Sequence, residues 1–171
     1  MVRLKGVERT PILGEDGVAL GRKSRGEIAR LAARLAPEAD AFEARWSRRL
    51  PAILGEAPEP AVLKALTALN PGAWAADLAA GRLDECLEVV TYHGRRLAKL
   101  DVPPRGVLAS VSAYAALIRP ALRRWFPGRN QTYAHALDHL YFAIQSTLSA
   151  SYYRVRDAEA AAFFDVLEDE L

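Results

Sequence analysis

Apolar residues recur along most of this chain at spacings of three and four, the period of one face of a helix. Ile28, Leu31 and Leu35 form such a stripe over 25–35. Pro37 suits the first turn of a second helix, whose stripe of Phe42, Trp46, Leu50 and Ile53 runs to Gly55 with a kink at Pro51. Pro60 opens a third segment through Val62, Leu63, Leu66 and Leu69. In "NPG" at 70–72, Asn70 reads as an N-cap and Pro71 as a first helical residue, starting a short helix that carries Trp74 and Leu78.

The second half holds the longer stripes. Leu83, Leu87, Val90, Leu97 and Leu100 predict a helix over 83–100, with His93 filling the gap three residues after Val90. "DVPPRG" stops it, because the residue before a proline is pushed out of the α region. A further helix is expected over 107–126, bent near Pro120 and ended by "FPGRN". From Thr132 one long helix follows (Leu137, Leu140, Ile144, Leu148, Tyr152, Val155), with no Gly or Pro after Gly128 to end it. Residues 1–24, with four glycines and no sustained period, read as an extended arm with a short strand near Val18 to Leu20. No longer strand pattern appears, so the expected class is all-α. Val90, Leu97, Leu108, Leu117, Leu140, Ile144 and Leu148 are the expected core of the last three helices.

Composition narrows the function classes. At 171 residues one domain is expected. Lys and Arg number 23 against 21 Asp and Glu, and they are dispersed, which argues against a nucleic-acid footprint. The single cysteine, Cys86, excludes an intrachain disulfide and a Cys-rich metal site, so the cytoplasm is the default compartment. No run is long and apolar enough to span a membrane, and "MVRLKGVERTPILGEDG" lacks the apolar stretch of a signal peptide, so a soluble, unprocessed protein is expected.

The order of these elements is a kinked early helix with "FEARW", short middle pieces, "H…DVPPRGVL…AY", and a long terminal helix. It resembles the sensor globins, comprising globin-coupled sensor domains and the haem-free N-terminal domains of stressosome co-antagonist proteins. The resemblance covers roughly residues 25–156 and implies a globin-like sensor domain there, with 157–171 a helical extension toward an output domain or partner. In the haem-binding branch it implies a haem b on a proximal histidine, a role open here to His93, with Phe42, Trp46, Leu97 and Tyr114 around it. Aligning Pro104 with the family's proline puts Leu97 at the ligand position and His93 one turn earlier on the same face. Where that branch offers a tyrosine to bound oxygen, this chain has Trp46 or Phe42. "RRLAKLDVPPRGVLASVSAY" is similar to the haem-free branch, so the expectation is no cofactor, with His93 inward and hydrogen-bonded to Tyr92 or a backbone carbonyl.

Other candidates carry weaker chemistry. His135 and His139 stand at i and i+4, a metal-capable spacing, but Asp138 projects elsewhere and no HExxH pattern is present, so a polar helix face is expected. Arg119, Arg123 and Arg124 beside Trp125 read as solvated surface. No phosphate loop, GxSxG, Cys-His pair or carboxylate cluster points to catalysis. The expected function is therefore a non-enzymatic signalling input module: a homodimer through its last two helices, with Phe163 and Phe164 in an exposed patch, acting on an output through the terminal helix. The alternatives are a haem-based gas sensor and a ligand-free structural scaffold.

Overall fold

A computed structural model describes the backbone of residues 20–169 and the side chains as far as Phe163. The described residues are helical and contain no strand. The elements are α1 (Arg22–Leu35), α2 (Ala39–Ser47), α3 (Leu50–Leu54), α4 (Pro60–Thr67), α5 (Ala75–Ala79), α6 (Leu83–Lys99), α7 (Pro104–Ile118), α8 (Leu122–Trp125) and α9 (Asn130–Asp169). Single 3-10 turns lead into α2, α5 and α8. Each begins on or beside a proline, Pro37, Pro71 or Pro120, whose fixed φ suits a first turn while its missing N–H ends the hydrogen-bond ladder before it.

α6 and α9 form the most extensive helix pair, α1 packs on α5 and α9, and α2 and α3 pack on α7. Gly94 allows the close approach of α6 to α9, since a Cβ there would stand 3.0 Å from Leu148 Cδ1. At the end of α6 the Val102 N–H bonds the Leu97 carbonyl and the Asp101 N–H bonds that of Ala98, with Asp101 left-handed at φ 57°. This Schellman pattern, followed by Pro103, ends the helix and turns the chain into α7.

The predicted stripes are largely the observed core: Val90, Leu97, Leu117, Leu140, Ile144 and Leu148 are buried. Leu108 is half-buried instead, because it lines a surface recess between α7 and α9. Ile53 is also half-buried, since the break at Arg48 and Arg49 separates α3 from α2 and turns its stripe partly outward. Arg22 to Ser24, expected in the arm, are the first residues of α1, and α7 begins at Pro104, three residues before its apolar stripe. Asn70 does not cap a helix with its side chain; both its amide atoms are buried without a partner. Leu20 is not in a strand, and residues 1–19, with the rest of that expected strand, lie outside the described residues. No helix among the described residues is long and apolar enough to cross a membrane.

Candidate functional site

His93 lies on α6 half-buried, one turn before the buried Leu97. Its Nδ1 is buried without a hydrogen-bond partner, so the expected bond to Tyr92 or a carbonyl is not made. Tyr92 instead meets the ring edge-on, 4.9 Å between centroids. Burial lowers the imidazole pKa, and the nearby charges of Arg96 and Lys64 lower it further.

The other residues implied by the resemblance form a separate ring cluster. Tyr114 of α7 meets Phe42 at 6.3 Å and Trp46 at 6.2 Å, and Phe42 meets Trp125 edge-on at 5.7 Å. The Trp46 Nε1–H donates to the Ser110 carbonyl at 2.8 Å, tying α2 to α7. Tyr114 approaches the Pro71–Trp74 turn so closely that a Cβ on Gly72 would stand 2.0 Å from its Oη. That hydroxyl, like Tyr141 Oη, is buried without a partner, and burial raises both phenol pKa values well above the ordinary range.

A haem on His93 needs a flat gap beside the imidazole, lined by apolar side chains. Phe42, Trp46 and Tyr114 are edge-packed on one another, Trp46 has already placed its only donor, and their ring contacts do not include His93. The three rings thus already fill one another's space, and His93 stands apart from their contacts.

The arginines predicted to be solvated are more organised than expected. Arg124 makes a bidentate pair with Glu38, both bonds 2.8 Å, and the Trp125 Nε1–H donates to the same carboxylate at 2.9 Å. The Arg124 and Trp125 bonds together lower the Glu38 carboxyl to a pKa of about 2. Arg119 pairs with Asp138, and Arg123 is exposed. His135 and His139 are exposed on α9, and no group of three His, Cys, Asp or Glu able to hold a metal occurs among the described residues.

Beside the Glu38–Arg124 pair a groove of about 720 Å³ opens between α2 and the end of α7. Its floor includes Phe42, Ala116, Leu117 and Ala121, and its rim carries Arg45, Arg48, Arg49 and Arg124. The sequence contains the signal for this rim in "RWSRRL", where positions 45, 48 and 49 share a helical face, but the pairing with 124 is made only by the fold. A second, smaller recess of about 150 Å³ between α7 and α9 is lined by Val107, Leu108, Leu148, Tyr152 and Tyr153.

Compared with known proteins, the chain matches no family model, no curated protein and no solved structure.

Proposed function

We propose that this chain is a non-enzymatic signalling input module of globin-like fold that works without haem, self-associates through α7 and α9, and acts on an output through the end of α9. One observation carries the reading. α9 faces the core as far as Tyr152, then continues with every residue from Arg156 to Phe163 exposed. A helix of 40 residues spans about 60 Å, well beyond what a single core of this size needs to cover. A rigid helix rooted in a core and projecting from it carries any shift of that core outward.

The apolar recess at Leu108 and Leu148, with exposed Phe142 and Tyr153 on α9, supports association through this face. The self-packed Phe42–Trp46–Tyr114 cluster supports the haem-free form. Sedimentation and an absorption spectrum of the full chain after incubation with haem test the reading. A dimer at tens of micromolar with no Soret band is the expected result. A Soret band that disappears in His93→Ala overturns the haem-free form in favour of a gas sensor, and a clean monomer overturns the mode of association.

A further inference from the structure

The rim of the groove between α2 and α7 carries an excess of positive charge. Arg45, Arg48, Arg49 and Arg124 face one carboxylate, Glu38, which Arg124 and Trp125 already occupy. Arg45 lies over the Phe42 ring at 4.9 Å, keeping its guanidinium at the edge of the apolar floor. Arg48 and Arg49 are exposed and have no carboxylate partner among the described residues. An apolar floor between guanidinium groups fits an amphipathic helix bearing carboxylates along both sides of its apolar stripe.

The chain contains a segment of that kind. After Arg156 it has six carboxylates (Asp157, Glu159, Asp165, Glu168, Asp169 and Glu170) and no Lys, Arg or His. In the same stretch Ala160, Phe163, Phe164 and Leu167 recur at helical spacing, with the acidic positions on either side. Glu159 is paired with Arg156 one turn back, while Asp165, Glu168, Asp169 and Glu170 come later in the chain.

Its own groove is out of reach. Arg119 at the end of α7 pairs with Asp138, so the groove lies level with the early part of α9. Phe163 is 25 residues further along the same unbroken helix, about 38 Å away. We infer that the groove binds the acidic segment 157–171 of a second copy of this chain, apolar stripe on the floor and carboxylates against Arg45, Arg48 and Arg49. The inference is independent of the signalling role, since a scaffold with the same groove and segment would make the same contact.

Paramagnetic broadening between two copies tests it. One copy carries a nitroxide on Ala162→Cys; Cys86 stays unlabelled because it is buried and its thiol is pushed up to about 11. The second copy is unlabelled and isotopically enriched. Loss of amide signal at Leu117 and Ala121 of the enriched copy is expected. Arg48→Glu with Arg49→Glu in the enriched copy should restore the signal, and Asp165→Lys with Glu168→Lys in the labelled copy should bring the loss back. Both arginines are exposed, so a thermal melt of the variant checks that the fold is intact. Broadening confined to α9, with Leu117 and Ala121 unaffected, overturns the inference while leaving association through α7 and α9 standing. Broadening at the groove that survives the arginine reversal overturns it as well.

Discussion

Gly94 on α6 lies directly against Ser151 on α9. A Cβ built on Gly94 would stand 3.1 Å from Ser151 Cβ, and Ser151 has little freedom to yield because its hydroxyl donates to the Thr147 carbonyl at 2.8 Å. Gly94→Ala has two opposed effects. Alanine gains about 1 kcal/mol of helix propensity over glycine, while crowding a packed contact costs about 1 to 3 kcal/mol. The crowding wins at this separation, so a net loss of about 1 kcal/mol is expected, rising steeply for Gly94→Leu. Urea unfolding checks it; variants as stable as the parent would show that α6 and α9 do not cross this closely.

Gly72 and Tyr114 make a sharper case, because the added Cβ would meet the hydroxyl at 2.0 Å. Gly72→Ala should cost several kcal/mol or force Tyr114 from its place in the ring cluster. Tyr114→Phe should be neutral or mildly stabilising, since the hydroxyl it removes is buried and unpaired. The double variant should recover part of the Gly72→Ala loss. A double-mutant cycle with no coupling would contradict the packing of α7 on the Pro71–Trp74 turn.

The stability of the protein should also carry a signature of His93. Burial, Arg96 and Lys64 lower its folded pKa below the ordinary 6.5, so in mildly acidic solution the unfolded chain binds a proton that the folded chain resists. Stability from this group is therefore present above that pH and falls as the pH drops through 6.5 toward the lower folded value. His93→Phe should flatten this part of the stability curve. An unchanged slope in the variant would place the imidazole in open solvent.

How much of this was legible in the sequence depends on whether a feature is local. Leu83, Leu87, Val90 and Leu97 give α6 its register, whereas Leu100, expected in the same stripe, is exposed at the C-cap, and Pro37, Pro71 and Pro120 mark the turns into the next pieces, because helix period and fixed φ act within a few residues. The stop after α6 follows from the proline, whereas the left-handed Asp101 that completes it is marked by no glycine, and aspartate, although enriched in that conformation among non-glycine residues, adopts it only in a minority of cases. Tertiary partners were the harder part. Asn70 stands at the N-cap position of the Pro71–Trp74 turn, as its neighbours suggest, but its side-chain amide is enclosed without a bond, and the Arg45–Arg49 and Arg124 rim joins segments more than 70 residues apart. His93 was placed on the inward face by spacing, but spacing carried no information on Lys64 or on the ring cluster forming elsewhere.

The claim that a change in the core is carried out along α9 is tested most directly by spin-label distances between copies. A nitroxide on Ala158→Cys sits on the exposed part of α9, and Trp46→Phe perturbs the core by removing the bond to the Ser110 carbonyl. A defined distance between the two labels in the dimer is expected, with a shift of about 2 Å or more when Trp46→Phe is introduced. No distance between copies, or the same distribution in both proteins, would contradict it.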